Sequence, residues 1–212
     1  MDMNRPLSTV MPALDGDVLA VLAQAEDAMT TGDVRRALGW ASERGIRKVL
    51  DQLAGEGVVS RRRAGNAWLY CLEREHLAAG PIVELANLRT TFLAKMRELL
   101  GSWWWPPLYA GVVGPMAGQP SQSNGPTAGV DIVLVRPREA PGADWEKQVQ
   151  GLVDAVEKWT GDKPRLAEPG WDQLRGEEWE ALLRVVLSNG ATVYGQQEQL
   201  EQPARRTGTG RR

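Results

Sequence analysis

The stretch from residue 42 to residue 72 constrains the fold more than any other part of this chain. Its first half carries apolar residues at the spacing of one helix face: Ile46, Val49, Leu50 and Leu53. Gly55 or Gly57 can end that helix. Two strand-like runs follow, VVSRRR (58–63) and AWLYCL (67–72), joined by the turn AGN. A helix that leads directly into a hairpin predicts a domain that mixes helix and sheet.

Two shorter helices are predicted before this stretch, in DVLAVLAQA (17–25) and TTGDVRRALG (30–39). Three helices followed by a hairpin are the order of a winged helix-turn-helix. Residues 14–76 also resemble winged-helix regulators of bacterial transcription, through the segment GIRKVLDQLAGEGVVSRRRAGNAWLYCL. The resemblance implies a DNA-binding domain, with the third helix as the recognition helix and the hairpin as the wing.

The charge of this region supports the same hypothesis. Residues 30–66 contain eight Lys or Arg and four acids, although the whole chain has a net charge of −2. Arginine can bind guanine with two hydrogen bonds, and lysine can neutralise a phosphate. The DNA-contact candidates are Thr31, Ser42, Glu43, Arg44, Arg47, Lys48, Arg61, Arg62, Arg63 and Asn66. The alternative is a winged helix that binds protein, in which these charges only face solvent.

The rest of the chain divides by its periodicity. Residues 1–13 and the basic segment 198–212 lack hydrophobic periodicity and are predicted to be disordered tails. Residues 77–102 are predicted to form a connector helix, whose apolar stripe either packs on its own domain or forms a dimer seam. Residues 103–197 alternate strand-like and helix-like runs, which favours a small α/β domain. The predicted fold class is therefore α+β or α/β in two domains.

The second domain resembles the minimal nucleotidyltransferases of the DNA polymerase β superfamily, over roughly residues 103–196. LYAGVVGPMAG (108–118) is similar to the strand and glycine turn that hold the triphosphate in that family, and GVDIVLV (129–135) to the strand that bears two acids. The resemblance implies two magnesium ions held by those acids.

Carried over position by position, the family's site is altered at three points. Gly114 keeps the turn glycine, but Pro115 stands where the family has serine and removes a backbone donor. Asp131 matches the second acid of the pair, whereas Gly129 replaces the first. The third strand, PRLA (164–167), carries no acid. The degenerate site of Gly114, Pro115, Gly129 and Asp131 predicts no metal, no cofactor and no enzymatic activity.

The leading hypothesis is a cytoplasmic, sequence-specific transcriptional regulator that binds double-stranded DNA as a homodimer. In this hypothesis the second domain serves as a scaffold, a dimerisation module or a sensor of a small-molecule or nucleotide effector. Membrane association is not expected, because no apolar run approaches the length of a membrane-spanning helix. Two alternatives stay open. One is an active magnesium-dependent nucleotidyltransferase that recruits Asp162 or Glu168, and the other is an antitoxin-like autorepressor.

Overall fold

The computed structural model describes residues 5–114, 130–198 and 200, and the chain divides into two units. The first unit ends at Arg89 and the second begins at Thr90. Both units combine helices with a β-sheet, so the chain belongs to the mixed α and β class that the sequence predicts. Among the described helices, none has the length and apolar character needed to cross a membrane.

The described part of the first unit packs four helices around a three-stranded antiparallel sheet. Its helices are α1 (Leu14–Gln24), α2 (Thr31–Leu38), α3 (Glu43–Gly55) and α4 (Ala79–Ala86). Its strands are β1 (Met29–Thr30), β2 (Val59–Ala64) and β3 (Ala67–Leu72), with β3 in the middle of the sheet. The three helices and the β2–β3 hairpin match the sequence prediction. The two-residue strand β1, which pairs with β3 at Tyr70 and Leu69, was not predicted.

The N-terminal segment differs from the predicted tail of residues 1–13. Pro6–Thr9 forms a turn of 3-10 helix, and Leu7 is only 1% exposed within the core of the first unit. Arg5 adds an ion pair with Asp17 of α1, whose side chain is 4% exposed. Burying one leucine is worth roughly 2 kcal/mol. Residues 5–13 therefore belong to the folded unit.

The predicted connector of residues 77–102 is two helices, α4 and α5 (Leu88–Gly101). Asn87 ends α4 with non-helical backbone angles. Ala79, Ile82 and Ala86 are buried in the core of the first unit, so this part of the predicted apolar stripe packs on its own unit. The boundary between the units falls in the first turn of α5.

Helix α2 begins with a capping box. Thr30 is the N-cap: its side chain accepts a hydrogen bond from the Asp33 backbone N–H at 3.1 Å. In return, the Asp33 carboxylate accepts from the Thr30 backbone N–H at 2.8 Å and from the Thr30 hydroxyl at 2.7 Å. These bonds satisfy donors that a helix N-terminus otherwise leaves free.

The capping box makes the stability of the first unit depend on pH. The hydrogen bonds from the Thr30 side chain, then from its backbone, lower the pKa of Asp33 below its ordinary 3.8. A carboxyl whose pKa is depressed in the folded state stabilises that state above its unfolded pKa, and the stabilisation is lost as pH falls through the folded value. We therefore expect Asp33→Ala to be less stable than the wild type at pH 7, with the difference shrinking below about pH 4.

Urea unfolding at pH 7, 5 and 3.5 measures this difference. Arg36→Ala is the control, because it removes the exposed ion pair of Arg36 with Asp33 and leaves the capping box in place. A stability gap between wild type and Asp33→Ala that stays constant down to pH 3.5 would contradict the assignment.

The second unit contains a four-stranded mixed sheet and three long helices. Its strands are β4 (Tyr109–Val113), β5 (Asp131–Val135), β6 (Arg165–Ala167) and β7 (Ala191–Gly195), and its long helices are most of α5, α6 (Gly142–Thr160) and α7 (Glu177–Asn189). The strand order is β6-β5-β4-β7. β4 is antiparallel to β5 and β7, whereas β5 and β6 are parallel.

The core of the second unit is built on β4, whose five residues are all buried. Tyr109 and Val113 pack with Leu183 and Val186 of α7 on one face of the sheet. Leu200, predicted to lie in the tail of residues 198–212, is 0% exposed in the same cluster. Residues 201–212, with their four arginines, lie outside the described residues.

Candidate functional site

Helix α3 presents a basic stripe on its outer face. Its inner face is fixed by burial of Ile46, Val49, Leu50 and Leu53. The residues between them point outward, and Arg44, Arg47 and Lys48 are exposed. Ser42 caps the helix by accepting a hydrogen bond from the Gly45 backbone N–H at 3.2 Å. The exposed cations therefore lie in the first turns of α3, as the sequence predicts.

These cations are only weakly held by acids. Arg47 pairs with Glu43 at 3.4 Å, and both side chains are more than half exposed. An exposed pair of this kind is worth at most about 1 kcal/mol, so a phosphate or a base can displace it. Arg44 and Lys48 form no ion pair within the part of the chain that the structure describes.

The β2–β3 hairpin distributes its arginines over two faces. The pairing register sets Arg61 opposite Tyr70 and Arg63 opposite Trp68, while Arg62 lies opposite Leu69. Successive strand residues point to opposite faces, so Arg61 and Arg63 share one face and Arg62 lies on the other. The three arginines, all of them predicted contact candidates, are therefore not equivalent.

The hairpin turn also refines the prediction for Gly65 and Asn66. Gly65 has a φ of +58°, whereas no non-glycine residue that the structure describes, Asn66 included, has a positive φ. Asn66 is exposed at the tip, where it is open to a partner. Thr31 differs from the other candidates, because its side chain lies in the core and is 9% exposed. Of the ten candidates, Thr31 is therefore the least accessible to a partner.

Sequence reasoning missed an aromatic residue beside helix α3. Trp40, two residues before the Ser42 cap, is 61% exposed. The Arg5 guanidinium lies over its ring at 5.2 Å from the centroid, a cation–π contact. Arg35 and Arg36 are exposed on α2 nearby in sequence. The signal was the position of Trp40 outside every apolar stripe, in the turn between α2 and α3.

In the second unit, the predicted glycine turn at Gly114 lies next to Asp131, the acid of the predicted carboxylate strand. Gly114 follows β4 with a φ of +74°, and a Cβ placed there would lie 3.3 Å from Oδ2 of Asp131. Asp131 begins β5 directly opposite Val113. Pro115 and Gly129, the other two members of the predicted degenerate site, lie outside the described residues.

The third strand places a cation where the family has an acid. Arg165 of β6 is the register partner of Asp131. Its guanidinium donates from Nε to one oxygen of Asp131 and from a terminal nitrogen to the other at 2.8 Å. These hydrogen bonds, and then the charge of Asp131, raise the pKa of Arg165. The Arg165 guanidinium therefore stays charged at every physiological pH.

The described residues at this corner do not fit a divalent metal ion. No group of three His, Cys, Asp or Glu that could hold a metal is found among residues 5–114, 130–198 and 200. The Asp131 carboxylate already accepts both hydrogen bonds of Arg165. Glu168 accepts a hydrogen bond from the Trp145 indole at 3.1 Å and lies beyond the carboxyl end of β6, away from Asp131. Asp162 precedes β6.

Comparisons with known proteins give structural neighbours but no family. No family model matches the chain, and no curated protein matches it. Solved structures do, and three of them are toxin–antitoxin complexes: two mutants of MntA-HpeT, at 17% identity and TM-scores of 0.35 and 0.33, and a complex with AMP-PNP, at 19% and 0.36. The matches cover 53–54% of this chain and 80–82% of the other.

These neighbours correct one prediction. MntA is a nucleotidyltransferase, and one of the matched complexes was crystallised with a nucleotide analogue. The expectation that this chain is not an enzyme is contradicted by this finding. With TM-scores below 0.5, the matches identify neither the family nor the activity of this chain.

Proposed function

We propose that the first unit is a winged helix-turn-helix that binds double-stranded DNA and makes this protein a transcriptional regulator. One observation carries the proposal: Arg44 and Lys48 on α3 and Arg62 on the hairpin are exposed and form no ion pair within the described residues. Cations from two elements are thus free to neutralise phosphates, in a chain whose net charge is −2.

The order of the elements supports the same proposal. Helix, strand, two helices and a hairpin, with β1 pairing beside β3, is the arrangement typical of a winged helix. In that arrangement the helix before the hairpin enters the major groove, and its N-terminal residues contact base edges. The first turns of α3, with Arg44 and Arg47, would supply those contacts. The hairpin would lie along the backbone.

Electrophoretic retardation at low salt tests the proposal. The full chain is titrated against a fragment of its own promoter, which an antitoxin-like autorepressor would bind, and against genomic fragments. We expect retardation of at least one fragment, with an affinity that falls steeply as salt increases. If no fragment, the promoter included, is retarded at low salt, the proposal is wrong. A homodimer belongs to this proposal, since two half-sites add affinity, and analytical ultracentrifugation measures it.

A second candidate function is nucleotidyl transfer by the second unit. The observation that favours it is the contact between the Gly114 turn and Asp131, which is the part of the nucleotidyltransferase pattern that the described residues retain. The Arg165 guanidinium, whose side chain is 75% exposed, is a cation beside that turn and suits a phosphate group.

Transfer of label from a radioactive nucleoside triphosphate, with and without magnesium, tests this candidate. We expect Asp131→Ala to abolish transfer, because it removes the one carboxylate that meets the turn in the described structure. Asp154→Asn is the matched control, since Asp154 is an exposed acid on α6 that accepts a hydrogen bond from Gln150, and its loss should leave transfer unchanged. If the wild type neither binds nor transfers the nucleotide, this candidate is excluded.

A further inference from the structure

Asp51 is an acid on a surface where DNA binding favours cations. It follows Arg44, Arg47 and Lys48 at spacings of seven, four and three residues, so it lies on the same outer face of α3. Its side chain is 48% exposed. A carboxylate at this position repels a polyanion. If position 51 only faced solvent, a neutral side chain there would favour DNA binding more than Asp51 does.

The contacts of Asp51 explain its presence on that face. Oδ1 of Asp51 accepts a hydrogen bond from the Arg61 guanidinium at 3.3 Å and another from the Tyr70 hydroxyl at 3.3 Å. Arg61 and Tyr70 are register partners on β2 and β3. One carboxylate of the recognition helix therefore holds both strands of the hairpin.

On the hairpin, both partners of Asp51 are held in place by their own surroundings. The Tyr70 ring is 2% exposed, and burial, followed by the charge of Asp51, raises the pKa of its hydroxyl. Its proton therefore stays in place to donate to Asp51. The Arg61 guanidinium lies over the Trp68 ring, 5.1 Å from the centroid. Arg61 is held between an acid and an aromatic ring, which distinguishes it from Arg62 on the other face.

We infer that Asp51 is a positioning residue that fixes the hairpin relative to α3, so that both elements contact one DNA site in a single register. The Asp51–Arg61 pair is half exposed and adds little stability by itself. What distinguishes it from the Arg47–Glu43 pair is the second hydrogen bond, from the hydroxyl of the buried Tyr70, which directs the Asp51 carboxylate toward the hairpin. The inference rests on the proposed DNA binding, and it assigns to Asp51 and Arg61 a role that differs from that of the phosphate-binding cations.

The substitution Asp51→Asn distinguishes a simple charge effect from a positioning role, because the two change DNA affinity in different ways. Removing a negative charge from a DNA-binding face should tighten binding to every fragment alike, by up to about fivefold at 0.15 M salt for one phosphate contact. Loss of positioning should instead lower the preference for the specific fragment over a scrambled one by at least about tenfold, a typical cost of one imperfect base contact. Binding to the scrambled fragment should be unchanged or tighter. Glu56→Gln is the matched control, because Glu56 is an exposed acid at the end of α3 that contacts only Gln52 in the described structure.

Both affinities are measured with the full chain, together with hydrogen exchange of the free protein. Loss of preference with retained scrambled binding, absent in Glu56→Gln and restored by Asp51→Glu, supports the inference. An equal gain, an equal loss or no change in the two affinities overturns it. Exchange decides independently of DNA: residues 61–70 should exchange faster in Asp51→Asn, and unchanged exchange would also overturn the inference. If the wild type binds no DNA while exchange changes as expected, the proposed function fails and the link between α3 and the hairpin stands.

Discussion

Replacing Arg44 and Arg47 together by alanine is expected to remove most of the sequence preference that the proposed DNA binding implies. Both side chains are exposed at the start of α3, the part of a recognition helix that meets base edges. Each lost bidentate contact with guanine costs about 1–3 kcal/mol, or roughly 5- to 150-fold in discrimination. The measurement is the ratio of dissociation constants for the specific and scrambled fragments at one salt concentration.

A double substitution on the hairpin provides the matched control, because it removes the same number of charges. Arg62→Ala with Arg63→Ala should weaken the specific and scrambled complexes alike. Two lost phosphate contacts should reduce the slope of log affinity against log salt by about 2, at roughly 0.9 per contact. Should the α3 variant also weaken both complexes equally, α3 would contact only the backbone, and its assignment as the recognition helix would be wrong.

The fold could be predicted where the sequence is periodic. The stripe of α3 at Ile46, Val49, Leu50 and Leu53 predicts the helix and its buried face, and the structure has both. Leu7 and Leu200 could not be predicted, because neither of their segments is long and regular enough to show a sustained hydrophobic period. Their burial depends on cores built from distant parts of the chain, so the predicted tails were too long at both ends.

The sequence was enough to predict which candidate residues lie on an exposed face, but not which of them form hydrogen-bonded pairs with distant residues. Helical spacing is enough to place Arg44, Arg47 and Lys48 on one exposed face. The pairing of Asp51 with Arg61 and Tyr70 spans 10 and 19 residues, and that of Asp131 with Arg165 spans 34. Such pairs depend on strand register and on packing between elements, which one sequence does not specify. The sequence indicated that the third strand lacks an acid. The structure adds that Arg165 of this strand is hydrogen-bonded to Asp131.

The substitution Gly195→Ala is expected to destabilise the second unit more than Gly161→Ala, its matched control. Gly195 ends β7 with a φ of +75°, and a Cβ there would lie 2.3 Å from the Leu108 carbonyl oxygen. Left-handed backbone costs a residue with a Cβ about 1–2 kcal/mol. Because the clash is with backbone, the neighbouring strand must also move, which adds about 1–3 kcal/mol.

Gly161→Ala is the control for the left-handed backbone, because it carries that cost without the clash. The difference between the two variants therefore measures the cost of moving the neighbouring strand. Gly161 ends α6 with the same φ of +75°, but a Cβ there would meet nothing within 4 Å. Unfolding followed by tryptophan fluorescence reports mainly on the second unit, since seven of the nine tryptophans lie after residue 102. Gly161→Ala should lose only about 1–2 kcal/mol of unfolding free energy, and Gly195→Ala about 2–5 kcal/mol. Equal losses would mean that β4 and β7 yield at no cost, which contradicts a sheet whose central strand is buried along its whole length.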